Sequence, residues 1–253
     1  MKNKIPKETV ETITMLQNAG FEAYLVGGCV RDFVMDATPA DWDVTTNARP
    51  NDIQRIFPDS VYDNEFGTVR VITHSADPTL KTIEITPFRR EAKYSDKRHP
   101  DAVMFADTIE EDLGRRDFTI NAMAIKLSKS DFNSALSKSD FLNIDLFNGQ
   151  NDIKKKIVRA VGDPHERFSE DALRMMRAVR LATQLGFAIE EKTSEAIYKN
   201  AGLLRFIAKE RIRDEFTKIV MSDRAAEGVE LLRRLSLLAL FLPELEEGWD
   251  VGQ

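Results

Sequence analysis

Residues 24–46 constrain the fold of this chain more than any other stretch. Their sequence predicts an apolar strand, a Gly-Gly turn at 27–28, a short helix and, after a polar connection, a second strand that carries an Asp-Trp-Asp triplet. Because side chains alternate across a strand, Asp41 and Asp43 share one face. Two carboxylates at this spacing repel each other unless they share a divalent cation. The pair therefore predicts a cation site.

The apolar patterns divide the chain of 253 residues into two parts. Before a boundary near residue 150, alternating strands at 68–73 and 81–88 are mixed with short helices, as is typical of an α/β unit. After it no convincing strand appears. Helical patterns instead occupy 169–185, 190–200, 209–221 and 224–238. We predict an α/β head in 1–150 and an all-helical remainder in 151–253.

Composition excludes several classes of protein. No apolar run approaches the length of a membrane span, and the N-terminus lacks the apolar core of a signal peptide, so we expect a cytoplasmic protein that contacts no membrane. Cys29 is the only cysteine, which excludes an internal disulfide, and His74, His99 and His165 are too scattered for a zinc cluster. The net charge of -6 argues against a protein that simply coats nucleic acid.

Glu84 is a candidate third acidic ligand. In the strand at 81–88, Ile83 and Ile85 face the core, which leaves Glu84 on the opposite face. A lone acid on an exposed strand face usually serves only solubility. Glu84 is a candidate ligand here because the same sheet carries Asp41 and Asp43, which need a third ligand for a shared cation.

The glycine turn adds an anion site to the cation site. A Gly27-Gly28 turn that enters a helix offers backbone N–H groups to an anion, and Arg31 adds a charged donor. Most Gly-Gly pairs are plain turns, so the turn alone is weak evidence. Followed by Asp41 and Asp43, it predicts a nucleotidyltransferase head, in which the turn holds phosphates and the carboxylates hold Mg²⁺.

A second candidate site opens the helix predicted at 169–185. Ser169 is placed to cap this helix, and Glu170 and Asp171 fall in its first turn. Asp171 and Arg174 are neighbours on one face, with Arg177 next along it. One interpretation is an ordinary capped helix with an ion pair. The other is base recognition, because an Asp acceptor beside an Arg donor matches the pairing edges of cytosine and adenine and opposes those of guanine and uracil.

Seven short segments together resemble one enzyme family. They are GGCVRD at 27–32, DWD at 41–43, EFGTV at 65–69, EITPFR at 84–89, RRDFTINA at 115–122, RAVGDP at 159–164 and EDALR at 170–174. In this order they resemble the class II tRNA nucleotidyltransferases, which comprise the CCA-adding enzymes and their bacterial poly(A) polymerase relatives. The resemblance extends from about residue 20 to the end of the chain.

The resemblance implies a seahorse-shaped protein with a polymerase-β-like head followed by a helical neck and body. It implies that Asp41 and Asp43 bind the metal, Mg²⁺, and that Glu84 lies on the strand where such heads carry a third catalytic carboxylate. It also implies roles in ribose, phosphate or base recognition. The candidate nucleotide-binding residues are Gly27, Gly28, Arg31, Arg116, Asp117, Asn121, Glu170, Asp171, Arg174 and Arg177.

Two features favour one activity within the family. Gly67-Thr68-Val69 resembles the tRNA-specific branch, and the intact segment 90–100 resembles the flexible loop needed for the final A addition. The resemblance therefore implies template-independent addition of CCA to the tRNA 3′ end from CTP and ATP, with no protein partner. The alternatives are an A-adding or CC-adding enzyme, a poly(A) polymerase, a catalytically silent tRNA-binding fragment, and a nucleotidyltransferase that modifies a protein or a small molecule.

Some features depart from the family pattern. Asp36 stands where the family often has Gly, and Leu181 where an aromatic commonly follows the Arg. Segment 128–143 is predicted to be a surface insertion. The Pro-Glu-Leu region at 243–245 is followed by only a few residues, so we expect the tail of the family to be absent.

Overall fold

The computed structural model describes residues 5–63, 67–90, 104–127 and 142–248. Their contacts divide the chain into two compact units. The second unit consists of residues 117–119 and 151–248, and the first contains the other described residues. None of the helices in the described ranges has both the length and the apolar composition needed to cross a membrane.

The first unit is built on a mixed β-sheet. Its strands are β1 (Ala23–Val26), β2 (Asp43–Thr46), β3 (Ser60–Asp63), β4 (Thr68–Ile72), β5 (Thr82–Pro87), β6 (Arg89–Arg90), β7 (Met104–Phe105), β8 (Ala124–Lys126) and β9 (Leu142–Ile144). Seven of them form one sheet in the order β3-β4-β5-β2-β1-β8-β9, and β6 pairs with β7. The helices are α1 (Lys7–Asn18), α2 (Gly28–Val34), α3 (Pro50–Ile56), α4 (Ile109–Gly114) and α5 (Gly149–Lys155), the last of which extends into the second unit.

The alternation predicted for β5 is confirmed. Ile83 and Ile85 are fully buried, whereas Glu84 between them is exposed. The second predicted strand begins later than expected, because β2 starts at Asp43 and Asp41 precedes it. The predicted insertion at 128–143 also differs in part: Leu142–Ile144 forms β9, which pairs antiparallel with β8. Residues 128–141 lie outside the described ranges.

Helix α4 covers one face of the sheet beside β1. Ile109 and Leu113, four residues apart on α4, are buried against Tyr24 and Val26 of β1 and against Phe88. Full burial of a large apolar side chain stabilises a fold by about 1.5–3 kcal/mol. This packing fixes α4, and with it the side chain of Asp112, relative to the strand that leads into the glycine turn.

The second unit is mostly helical. It contains α6 (Pro164–Glu170), α7 (Leu173–Leu185), α8 (Glu191–Asn200), α9 (Lys209–Val220), α10 (Ala225–Arg234), α11 (Pro243–Glu247) and the strands β10 (Ile157–Val158) and β11 (Ala188–Ile189). The two strands form a parallel pair, so the prediction of an entirely helical remainder is wrong in this detail. Strands of two residues are too short for an alternating pattern to reveal them.

The helix predicted at 169–185 is two helices. Asp171 is extended, with φ -143° and ψ 105°, and separates α6 from α7. Ser169 lies inside α6 and does not cap α7. The Asp171 carboxylate instead accepts a hydrogen bond from the Leu173 backbone N–H at 3.0 Å, and Asp163 caps α6. The prediction failed because the apolar spacing continues across the break.

At two positions, 36 and 228, the backbone geometry bears on which residue type fits. Asp36, which stands where the family often has Gly, has φ +60°, a conformation that favours glycine and that Asp tolerates better than most residues. Gly228 on α10 allows a close helix contact, because a Cβ there would lie 2.5 Å from Ile219 Cγ2 and 2.8 Å from Thr183 Oγ1. Helices α7, α9 and α10 pack together around this point.

Candidate active site

The glycine turn after β1 is closely packed. Gly27 has φ +78°, which only glycine adopts without strain. A Cβ at this position would lie 3.2 Å from Arg116 Nη1 and 3.6 Å from Asp43 Oδ2. The turn therefore brings the backbone of Gly27 close to one guanidinium and one carboxylate.

Three carboxylates lie near this turn, on or just before the interior strands β2 and β5. Asp43 is the first residue of β2 and is paired with Glu84 in the parallel register of β2 and β5. Asp41 precedes β2, and both Asp41 and Glu84 are exposed. Because paired residues on neighbouring strands project to the same face, Asp43 and Glu84 are neighbours.

Negative charge predominates around Asp43. Burial, and then the negative charges of Asp41 and Glu84, raise the pKa of the Asp43 carboxyl to about 7, against the opposing effect of Arg116. None of the hydrogen bonds or salt bridges among the described residues involves the side chain of Asp41, Asp43 or Glu84. The carboxylates are therefore free to bind a cation.

This donor set fits a divalent cation such as Mg²⁺. Within the described ranges, no group of three or more His, Cys, Asp or Glu side chains is preassembled to hold a metal ion. Mg²⁺ usually keeps several waters and binds through one or two protein carboxylates together with substrate phosphates. Asp41 and Asp43 meet that requirement, and a cation would relieve the repulsion that raises the pKa of Asp43.

Arg31 and Asn121, two of the predicted nucleotide-binding residues, are in contact. Arg31 Nη1 donates to Asn121 Oδ1 at 2.9 Å, and Arg31 Nε donates to Asp32 Oδ1 at 2.8 Å. These bonds hold the guanidinium on α2, the helix that follows the glycine turn. The structure thus brings together, in the first unit, Gly27, Gly28, Arg31, Asp41, Asp43, Glu84, Arg116 and Asn121.

Arg116 and Asp117 are consecutive in sequence but belong to different units. The backbone N–H of Thr119 bonds to Arg159 O at 2.9 Å, and that of Val161 bonds to Asp117 O at 3.1 Å, so residues 117–119 are part of the second unit. Arg116 instead pairs with Asp112, at 2.9 Å. Local sequence does not reveal this division.

Asp117 is buried in the second unit and paired with Arg177. Its Oδ2 accepts from Arg177 Nε at 2.8 Å and lies 2.6 Å from Nη2. Burial alone would raise the pKa of Asp117, but the Arg177 guanidinium holds it at about 2. Arg177 also lies 4.0 Å from the buried carboxylate of Glu215, which pairs with Arg180 at 3.0 Å.

The residues predicted to read the base have partners that the sequence did not suggest. Arg174 Nη1 donates to Glu170 Oε2 at 2.6 Å, and Asp171 Oδ2 accepts from Arg211 Nη2 at 2.9 Å. Asp171 is thus held by α9 as well as by the start of α7. Sequence reasoning missed Arg211 and Glu215, whose contacts join distant segments. It also missed Asp112, whose spacing of three and four residues from Arg115 and Arg116 could have revealed the ion pairs.

Residues 23–159, more than half of the chain, match the poly A polymerase head domain family. The chain belongs to this family. Residues 186–248 match the family described as the probable RNA and SrmB-binding site of polymerase A. Both matches confirm the family predicted from the sequence motifs.

Two similar proteins are CCA-adding enzymes. The chain is 44% identical over 233 residues to the CCA-adding enzyme of Lactobacillus helveticus and 46% identical over 230 residues to that of Pediococcus pentosaceus. These matches cover 90% and 89% of this chain and 54% of each relative. The chain therefore spans about half the length of the curated relatives it matches.

Solved structures give the same result for the fold. The crystal structure of the Bacillus stearothermophilus CCA-adding enzyme in complex with CTP is similar with a TM-score of 0.79 and 37% identity, over 93% of this chain and 53% of that one. A tRNA nucleotidyltransferase complexed with a primer tRNA and an incoming ATP analog is similar with a TM-score of 0.71 and 28% identity, over 91% and 62%. A nucleotidyltransferase head with a mixed sheet and a mostly helical remainder is confirmed.

Proposed function

We propose that this chain carries the nucleotidyltransferase activity of a CCA-adding enzyme, which extends the tRNA 3′ end with CTP and ATP. The observation that carries the proposal is the pairing of Asp43 with Glu84 across β2 and β5, with Asp41 preceding β2 and the Gly27 turn in close contact. Such a group of acidic side chains beside an anion-binding turn suits transfer of a nucleotide with release of pyrophosphate.

The domain of residues 1–150 performs the chemistry in this proposal. The tRNA 3′-hydroxyl attacks the α-phosphate of the incoming nucleotide, and pyrophosphate leaves. A divalent cation, which we propose to be Mg²⁺, lowers the pKa of the hydroxyl and stabilises negative charge on the phosphates when bound. Asp41 and Asp43 would hold it, and Glu84 would supply a third carboxylate from the adjacent strand.

The nucleotide is held by the polar groups around the glycine turn. The backbone N–H groups of Gly27 and Gly28 and the guanidinium groups of Arg31 and Arg116 bind the triphosphate. Asn121, already in contact with Arg31, recognises the ribose. The protein therefore acts mainly by orienting the triphosphate and by compensating its charge.

The domain of residues 151–253 selects the nucleotide and binds RNA in this proposal. The Asp171 carboxylate accepts from the exocyclic amino group of cytosine or adenine, and Arg174 donates to the adjacent ring nitrogen. Glu170 holds Arg174 in place, and Arg177 does the same for Asp117. A protein template of this kind serves both CTP and ATP.

The names of similar proteins support this assignment. The relatives compared above are CCA-adding enzymes, and the solved structures contain CTP, or a primer tRNA with an ATP analog. We also propose that this activity is cytoplasmic, because tRNA is used in translation there.

The decisive experiment gives the purified chain three tRNA substrates, which end before CCA, after C and after CC, with each labelled nucleotide separately. CCA addition predicts incorporation of C into the first two and of A into the third. Incorporation of A alone, only into the third, would identify an A-adding enzyme. Transfer of label in the absence of tRNA would indicate a protein or small-molecule acceptor. Binding of tRNA without any incorporation would overturn the proposed activity.

A further inference from the structure

Asp112 is a buried carboxylate to which neither the sequence motifs nor the proposed mechanism gives a role. Its side chain is 0% exposed. Oδ1 accepts from Arg115 Nη2 at 2.7 Å and from the Arg89 backbone N–H at 3.2 Å, and Oδ2 accepts from Arg116 Nη2 at 2.9 Å. Helix α4 fixes its position, because Ile109 and Leu113 on either side are buried in the core.

The surroundings of Asp112 keep it ionised. Burial on its own would raise the pKa of this carboxyl, but the guanidinium groups of Arg116 and Arg115 together hold it below its usual value. A buried carboxylate that keeps its charge is a strong hydrogen-bond acceptor. Asp112 is therefore a fixed anchor for the arginine side chains around it.

The other end of the Arg116 guanidinium faces the candidate active site. Arg116 Nη1 lies 3.2 Å from the position that a Cβ on Gly27 would occupy, and its charge opposes the raised pKa of Asp43. Arg116 Nε is buried and has no hydrogen-bond partner in the described structure. Arg116 thus extends from Asp112 to the glycine turn.

We propose that Asp112 is a positioning residue, whose carboxylate holds Arg116 beside the Gly27 turn in the orientation that binds the triphosphate of the incoming nucleotide. The proposal rests on the nucleotide-binding role proposed above for Arg116. Asp112 itself does not contact the nucleotide. It acts through the guanidinium that it orients.

Two physical effects make this positioning important. Arginine has a long side chain whose fixation on binding costs free energy, so a guanidinium that is already fixed binds phosphate more tightly. Positioning is also important because other carboxylates lie nearby and would attract the Arg116 guanidinium. Without Asp112, Arg116 is free to turn towards Asp43, whose negative charge lies next to the same glycine turn. That movement would remove Arg116 from the triphosphate.

The test is a double-mutant cycle read out by equilibrium binding of CTP to the full chain, measured by titration calorimetry. We expect Asp112→Asn to weaken CTP binding by about tenfold or more, the size typical of a lost charged hydrogen bond. In the Arg116→Gln background, the same substitution should change the affinity by less than about twofold. Equal losses in both backgrounds, or no loss in either, would overturn the proposal.

Two further variants separate positioning from folding. Arg115→Gln removes a different partner of the same carboxylate, so it should lower the melting temperature while CTP affinity stays within about twofold of the original. Asp112→Glu keeps the charge and should retain more CTP affinity than Asp112→Asn, at a comparable melting temperature. If Asp112→Asn does not fold, the cycle is repeated with Asp112→Glu, whose longer side chain displaces the carboxylate: an affinity loss as large in the Arg116→Gln background as in the original chain, or no loss in either, contradicts the proposal.

The result of the binding test does not depend on whether the chain transfers nucleotides to tRNA. If CTP binding depends on Asp112 through Arg116 but no nucleotide reaches tRNA, the positioning role stands and the proposed activity fails. If the chain extends tRNA but CTP binding is insensitive to Asp112→Asn, only the positioning role fails.

Discussion

Asp43 and Glu84 face each other across two parallel strands, β2 and β5. Paired residues on neighbouring strands lie about 5 Å apart on the same face, so two carboxylates are held together by the backbone itself. The consequence is a carboxyl group at Asp43 whose pKa is raised to about 7 by burial and by the charges of Asp41 and Glu84. The fold therefore keeps the carboxylates of Asp41, Asp43 and Glu84 close enough to repel one another, and a bound cation would relieve that repulsion.

Substitution of Asp43 should abolish nucleotide transfer without harming the fold. We expect Asp43→Asn to reduce incorporation of labelled CTP and ATP into tRNA by about a thousandfold or more, because a catalytic cation supplies several kcal/mol. The melting temperature should stay the same or rise, since the substitution removes charge repulsion. Asp59→Asn, at an exposed residue that pairs with His74, is the control and should retain full incorporation. Incorporation by Asp43→Asn at the normal rate would refute the role of this carboxylate.

A methyl group at Gly27 should disturb the site through Arg116. Gly27→Ala introduces backbone strain of about 1–3 kcal/mol at φ +78° and places a Cβ 3.2 Å from Arg116 Nη1. We expect both a lower melting temperature and CTP binding weaker by about tenfold. Gly20→Ala is the matched control, because Gly20 has φ +89° but no atom within 4 Å of its Cβ position. Equal effects of both substitutions on CTP affinity would exclude a specific role for the close approach.

Loss of Asp171 should relax base selection more than it slows catalysis. We expect Asp171→Ala to lower the preference for CTP over UTP, and for ATP over GTP, by at least about tenfold, since discrimination depends on a buried polar partner for the exocyclic amino group. Competition assays with mixed nucleotides measure this ratio. Asp163→Ala removes the cap of α6 and should cost about 1 kcal/mol of stability with unchanged selectivity. Unchanged selectivity in Asp171→Ala would leave Asp171 with only its structural bonds to Leu173 and Arg211.

The pair of Asp117 and Arg177 should make stability depend on pH in acid. Because folding lowers the pKa of Asp117 from 3.8 to about 2, the pair stabilises the protein fully above about pH 5, and this stabilisation is lost as the pH falls towards 2. The expected loss is about 2 kcal/mol. Urea denaturation gives the free energy of unfolding of the wild-type chain and of Asp117→Asn. The difference between the two free energies should shrink by about this amount as the pH falls from 5 to 2. A stability difference that is constant over this range would contradict the assigned pKa.

Local patterns were sufficient for most elements of the first unit. The strands at Thr68–Ile72 and Thr82–Pro87 occur where spacing predicted them. Patterns failed where elements are very short, as for β10 and β11, or where an apolar stripe crosses a break, as at Asp171. A hydrophobic period reports which face is buried but not whether the backbone hydrogen bonds are continuous.

The sequence by itself determined the glycine turn, the Asp41 and Asp43 pair and the alternation that exposes Glu84, because each follows from spacing along one short segment. Only the tertiary structure decided that Glu84 pairs with Asp43 and that a buried Asp112 holds Arg116. These contacts depend on strand register and on the packing of α4 against the sheet. Strand register joins segments far apart in the chain. Arg116 lies only four residues from Asp112, but the burial of that carboxylate depends on how α4 packs, and no local period encodes either feature.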